Sequence, residues 1–298
     1  KVTLIDIMQS FFDKEKLTSS LKIPKAIQWF FKTINIFSDS ISLYFASKLF
    51  TTPINFKIPK RELAMDEAAQ KKTLHVSSIQ KDIHILSYGY SDKKVLLTHG
   101  WAGRRTQLFM IANLLLEKGF MVIAFDAPSH GKSTGKTTNL IEYIASIKAI
   151  NKEFGPFEAA VGHSFGAMAI MNTQAETAIF KRLITVGSGD TMEDILINFA
   201  NNLGLNANFG HQLKKYFEKK WNIQLIDYDT NEVAKKVKVP VLVIHDVLDG
   251  DVAVSCAVNI RLNLKKGTLL LTEGLGHTKI LRDKETANRI VNFIKQNK

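Results

Sequence analysis

The chain is 298 residues long, with 45% hydrophobic and 23% charged residues. That balance excludes a disordered chain, a collagen-like repeat and a disulfide scaffold, and at this length about three quarters of the unfolded surface can be buried. The 40 basic and 28 acidic residues leave a net charge of +12. The lysines are scattered in pairs such as Lys71-Lys72 and Lys214-Lys215, without a basic run or a nucleic-acid motif, so the expectation is a solvated basic surface and no nucleic-acid partner. Cys256 is the lone cysteine, which excludes an intrachain disulfide and points to a cytoplasmic location. The sequence begins at Lys1 rather than at methionine, which leaves export open. No stretch reaches about 18 uncharged apolar residues, so no transmembrane helix is expected.

In chain order, residues 1–60 read as an N-terminal helical extension. Ile27, Phe30, Ile34, Phe37, Ile41 and Tyr44 recur at spacings of three and four, Phe31 and Phe45 widen the stripe, and Pro24, Pro53 and Pro59 punctuate it. One or two amphipathic helices are expected, packed against the body of the protein, with attachment to a membrane surface or a dimer contact as alternatives. Residues 61–298 read as one α/β domain. Segments 73–80 and 82–88 form a β-pair, 94–98 a strand ending at His99-Gly100, and 106–118 a helix closed by Gly119. A strand at 120–125 ends at Asp126, a helix follows at 139–154, and a strand at 157–162 leads to Ser164. A helix at 167–180 and a strand at 182–186 follow. Between 189 and 238 lies a strandless stretch with Phe199, Leu203, Leu205, Phe209, Leu213, Phe217 and Trp221, read as a helical lid over the carboxyl edge of the sheet. The pattern resumes with strands at 239–245 and 268–272 and a helix at 283–295. Continuous apolar strands alternating with helices indicate a parallel sheet covered on both faces.

The strongest chemical signal is Gly162-His163-Ser164-Phe165-Gly166, a G-x-S-x-G pattern between a strand and a helix. A serine on that sharp turn is held in a strained conformation at a helix N-terminus, where free N–H groups favour developing negative charge. A hydroxyl needs a base. Of eight histidines, His277 in Gly274-Leu275-Gly276-His277 is the best placed, in a loop after the last strand. The side chain of His163 is expected to diverge from that of Ser164. The base needs an orienting acid. Asp249 is favoured, with Asp246, Asp190 and Asp251 as alternatives. The oxyanion donors expected are the N–H groups of Phe165 and of Trp101, in the loop after strand 94–98. Asp126 is expected to tie its loop together, since Gly131-Lys132-Ser133 lacks the spacing of a phosphate loop. No metal constellation or dinucleotide fingerprint is present, and no cofactor is expected.

His99-Gly100-Trp101, Asp126-Ala127-Pro128-Ser129-His130-Gly131, the turn at Ser164, Val239-Pro240-Val241 leading to Asp249, and Gly276-His277 occur in an order that resembles the α/β-hydrolase superfamily over about residues 81–298. Within it the chain is similar to bacterial esterase-like proteins with His-Gly-Trp-Ala-Gly after the third strand. The resemblance implies a mostly parallel eight-stranded sheet with helices on both faces, a lid after the sixth strand, and esterase-like chemistry on a small-molecule ester. His245-Asp246 departs from the His-Gly of many relatives. The alternative is a non-catalytic protein of this fold that uses its basic surface or N-terminal helices for a partner or a membrane surface.

Overall fold

Runs such as Val95-Leu96-Leu97 and Val241-Leu242-Val243-Ile244 can be satisfied only where both faces of a strand are covered, because side chains alternate across the sheet. In the computed structural model, which describes residues 23–296, they form an eight-stranded sheet in the order β1-β2-β4-β3-β5-β6-β7-β8. The strands are β1 (Gln70–Val76), β2 (Lys81–Tyr88), β3 (Lys94–Thr98), β4 (Met121–Phe125), β5 (Ala159–His163), β6 (Leu183–Val186), β7 (Val241–Asp246) and β8 (Gly267–Thr272). β1 and β2 pair antiparallel, as do β2 and β4; every other pair is parallel. The exposed edge strand β1 carries Lys71 and Lys72, charges that discourage edge-to-edge pairing.

Alternate residues feed two cores. Leu96, Ile123, Ala160 and Val243 face one side, with α5 (Leu140–Phe154), α6 (Phe165–Glu176) and α10 (Val254–Asn263). Val95, Leu97, Val161 and Ile244 face the other, with α4 (Phe109–Glu117) and α12 (Lys284–Lys295). Each of the Val, Leu and Ile side chains among these contributes roughly 1.5–3 kcal/mol when fully buried. The helix starts expected at 139 and 283 are caps: the Asn139 side chain accepts from Glu142 N–H at 3.0 Å and Asp283 from Thr286 N–H at 2.7 Å.

Among the described residues, three helices precede the sheet: α1 (Lys25–Phe37), α2 (Asp39–Thr51) and α3 (Lys60–Ala68). The part of the expected extension at residues 1–22 lies outside the described residues. Of the one or two helices expected for the apolar stripe across 27–44 there are two, because the chain turns at Ser38, whose hydroxyl accepts from Ile41 N–H at 3.4 Å to start α2. As a result Phe37, Ile41 and Tyr44 of that stripe point outward, while Phe31, Ser42 and Ala46 are buried. Between β6 and β7 no strand occurs; the segment folds as α7 (Met192–Asn202), α8 (Ala207–Trp221), a short 3₁₀ turn and α9 (Thr230–Ala234). Of its apolar residues, Leu203, Phe209, Leu213 and Phe217 are core. Helices α3 and α10 are additions to the sequence reading.

β3 and β5 lie side by side although β4 intervenes in sequence. The connections after them diverge to opposite sides and leave a crevice at their carboxyl ends, the usual ligand position in such sheets. Its rim is locked by buried charge. The Asp126 carboxylate accepts from Arg105 N–H (2.8 Å), the Arg105 guanidinium (2.5 Å) and Lys132 N–H (2.9 Å). Arg105 also binds Asp66 of α3 at 2.6 Å, and Arg104 grips Glu62 of α3 with bonds of 2.7 and 2.5 Å. Asp126 thus does the tying expected of it. Removing one member of a buried pair strands the other, at about 3–5 kcal/mol. Asp126→Ala is expected to lower unfolding stability by about that amount, read from the shift of the urea midpoint; a change under about 1 kcal/mol would contradict the role.

Candidate active site

β5 ends at His163 and the chain turns into α6 through Ser164, which adopts φ 50°, ψ −119°. A side chain at φ > 0 is strained by about 1–3 kcal/mol, so the surroundings must impose it. They do so through backbone proximity. A Cβ at Gly166 would lie 2.4 Å from the His99 carbonyl oxygen, and one at Gly162 would lie 2.6 Å from Ala167 Cα. Both glycines are required by close approach, and Ser164 N–H is anchored on the Val186 carbonyl at 2.8 Å. Phe165 opens α6 without a side-chain cap, so its N–H stands free at the positive end of the helix. Trp101 follows β3. In its turn Gly103 N–H bonds Gly100 C=O at 3.0 Å and Ala102 N–H bonds His130 Nε2 at 3.1 Å; the Trp101 N–H takes part in neither.

His277 sits on a one-turn helix, α11 (Gly276–Lys279), rather than in the expected open loop. Gly274 at φ 80° and Gly276 at φ 61° make the bend that brings it back over the sheet. His277 Nδ1 lies 2.7 Å from Asp249 Oδ2. With a carboxylate as acceptor, Nδ1–H is the donor and Nε2 is left with a free lone pair. The other Asp249 oxygen accepts from Asp251 N–H (2.8 Å) and Val252 N–H (3.0 Å). Gly187 floors the pair: a Cβ there would lie 3.1 Å from His277 Nδ1. Burial disfavours charge on His277, but the hydrogen bond and charge of Asp249 outweigh it and hold the imidazole pKa above its ordinary value. Burial likewise pushes the Asp249 carboxyl up, and the His277 bond and charge overcome it, leaving its pKa below the ordinary value.

The alternative acids do other work. Asp246 Oδ2 accepts from Thr272 Oγ1 (2.8 Å) and Leu275 N–H (2.9 Å), pinning the segment that carries His277. Asp190 accepts from Asn259 Nδ2 at 2.7 Å. Asp251 lines the cavity without replacing Asp249 at the imidazole. His163 Nε2–H donates to the His277 carbonyl at 2.9 Å, with the two rings 4.7 Å apart, and His163 lines the same cavity as Ser164. Sequence reasoning gave it no further part; its place beside Ser164 was the available signal. Asp249, Asp251 and His277 offer donor atoms within 4.8 Å of one another. Two of the three are already joined by hydrogen bond, so the group is this same site rather than a separate metal centre.

Ser164, His277 and Trp101 open on one mostly apolar cavity of about 630 Å³. Its walls come from three regions: Ile27 and Phe50 of α1 and α2, Phe165 and Met168 of α6, and Ile195 and Phe199 of α7. Trp221 lines it too, whereas Phe209 does not.

Among solved structures, the chain is similar to an esterase from Pyrococcus furiosus (TM-score 0.63, 17% identity, covering 82% of this chain and 97% of that one). It is also similar to an esterase from Exiguobacterium antarcticum (TM-score 0.61, 18% identity, 76% and 100%) and to a bromoperoxidase from Bacillus anthracis (TM-score 0.59, 15% identity, 76% and 100%). At these identities the likeness is one of fold. No curated protein sequence matches. The family model described as "Alpha/beta hydrolase family" matches residues 95–253, more than half of the chain. With an eight-stranded, mostly parallel sheet and a G-x-S-x-G turn at the end of its fifth strand, this chain belongs to the alpha/beta hydrolase family.

Proposed function

We propose that the protein is a serine hydrolase that cleaves carboxylic esters or thioesters through an acyl-enzyme. The observation that carries the reading is the 2.7 Å contact of His277 with Asp249 on the same cavity as Ser164 in its strained turn. Ser164 Oγ attacks the carbonyl carbon while its proton passes to His277 Nε2. The oxygen, now negative, accepts from the N–H groups of Phe165 and Trp101, each worth about 3 kcal/mol at the transition state. Collapse breaks the bond to the alcohol or thiol, which leaves with the proton from His277. Water then adds to the acyl carbon and gives a proton to His277. Ser164 departs, recovers that proton, and the acid is released. Asp249 holds the imidazole in the Nδ1–H tautomer and stabilises the imidazolium.

Two groups of apolar walls, from α1–α2 and from α7, suit an apolar acyl or alcohol group. The segment 189–238 is assigned as the lid. Hydrolysis of p-nitrophenyl butyrate and octanoate is expected for the wild type, with a loss of at least about 10⁴-fold in kcat for Ser164→Ala. A fluorophosphonate probe is expected to label the wild type alone. Equal activity of the two proteins, or no labelling of either, would refute the mechanism.

The base must be neutral to accept a proton. Because Asp249 raises the His277 pKa, kcat/KM should fall as pH drops through a midpoint above the ordinary imidazole value of about 6.5. In Asp249→Asn the larger raising influence is gone; burial, which lowers the pKa, remains, opposed only by the smaller effect of the Asp251 charge. The midpoint should move to lower pH while kcat falls by about 10⁴. A variant profile with an unmoved midpoint would exclude Asp249 as the partner.

A further inference from the structure

The outer face of α1 and α2 is apolar, contiguous and unpartnered among the described residues. Trp29 is 72% exposed, Ile36 81% and Phe37 82%; Ile41, Tyr44 and Phe45 are each more than two-fifths exposed. The exposed faces of the two helices merge, since Phe30 of α1 meets Phe45 of α2 edge-on at 5.8 Å and Phe45 meets Tyr44 at 5.5 Å. Patches of this kind on soluble proteins mark binding surfaces.

Three features select the occupant. Residues 23–60 carry Lys25, Lys32, Lys48, Lys57 and Lys60, all exposed, against Asp39 alone, which is hydrogen-bonded to Gln212 at 3.3 Å. A second copy would bring the same positive face into opposition, whereas an anionic surface complements it. The residue types are those of an interfacial helix, with Trp and Tyr among aliphatic side chains and lysines around them. The apolar face also runs into the cavity. Leu49, Ile54 and Phe56 are each 38–56% exposed on this side and also line the cavity shared with Ser164, while Ile23 and Ile27 of the same segment line it from within.

We propose that the outer face of the α1–α2 hairpin docks the protein on an anionic lipid bilayer and turns the mouth of the cavity toward it. Trp29, Ile36 and Phe37 enter the acyl boundary, and the lysines meet the headgroups. An ester with a long acyl chain then passes from the lipid into the cavity between the hairpin and α7. Docking itself is independent of the hydrolase reading; only the delivery of an ester rests on it.

The test uses the full chain and co-sedimentation with phosphatidylcholine–phosphatidylglycerol vesicles against pure phosphatidylcholine vesicles. The wild type is expected to bind the mixed vesicles at least about tenfold more tightly, with the preference falling as salt is raised. Trp29→Ser/Ile36→Ser/Phe37→Ser is expected to lose at least about tenfold in binding while hydrolysing p-nitrophenyl butyrate in vesicle-free buffer like the wild type. A blue shift of tryptophan emission on binding should vanish in Trp29→Phe. Ser164→Ala should bind vesicles as the wild type does, so a failed mechanism and a failed docking surface give different results. Wild type left in the supernatant, equal binding by the triple variant, or indifference to phosphatidylglycerol would each overturn the proposal. So would a concentration-dependent dimer, seen by light scattering and abolished in the triple variant, without vesicle binding.

Discussion

One hydrogen bond governs the carboxyl edge of the sheet: His277 Nδ1 to Asp249 Oδ2, at 2.7 Å. It exists because β7 and β8 are parallel neighbours in register to their ends, with Asp246 opposite Thr272. The chain therefore leaves both strands at the same edge, three residues before Asp249 on one and five before His277 on the other. Asp246 then staples the second exit through Thr272 and Leu275. An isolated buried carboxylate at position 249 would be disfavoured by several kcal/mol, and the imidazole together with two backbone N–H groups offsets that. Strand register and the charged pair thus depend on each other: a slip of β8 would strand the carboxylate.

Around this pair the protein uses histidine in two opposite ways. His99, His130 and His163 are buried, and desolvation lowers their pKa values to about 4, 3 and 3. They stay neutral and act as short hydrogen-bond bridges between segments. His99 Nε2 accepts from Ala127 N–H at 3.0 Å, His130 Nε2 from Ala102 N–H at 3.1 Å, and His163 donates to His277 C=O. His277 is also buried, but it has a carboxylate at its Nδ1, and that partner reverses the direction of the shift. The loops after β3, β4, β5 and β8 are thereby fixed by uncharged rings, which leaves one imidazole poised to change charge in the region.

The central strands were legible because an apolar run of four to six residues has few places to go in a chain of this size; 94–98 was read to the residue. Ser164, Asp249 and His277 were singled out from the glycine-flanked turn and from chain order, and the structure brings the last two within a hydrogen bond. Helix α3 was not. Its sequence Lys-Arg-Glu-Leu-Ala-Met-Asp-Glu-Ala has little apolar periodicity, and it is held by Glu62 and Asp66 to Arg104 and Arg105, some forty residues away. Such pairings leave no local signal. Helix α10 escaped for a related reason: its buried residues include Ser255 and Cys256 beside Val254, Ala257 and Ile260, so its inner face does not stand out as an apolar stripe.

The N-terminal hairpin shows a deeper ambiguity. Periodicity reports that a helix face avoids water, but not which apolar medium receives it. In α1, Phe31 goes into the core, Ile27 faces the cavity, and Trp29, Ile36 and Phe37 face outward, while Lys25, Gln28, Lys32 and Asn35 make a polar strip between the buried and outward apolar residues. Its apolar residues are shared among core, cavity and, on the proposed reading, lipid. The spacing of Ile27 to Tyr44 left open one helix or two, and the body of the protein, a membrane surface or a second copy as the medium. The turn at Ser38 makes it two helices. The mixture of Trp, Tyr and exposed lysines on the outward face favours a boundary, because those side chains join an apolar body to a polar tip and suit a boundary better than a core.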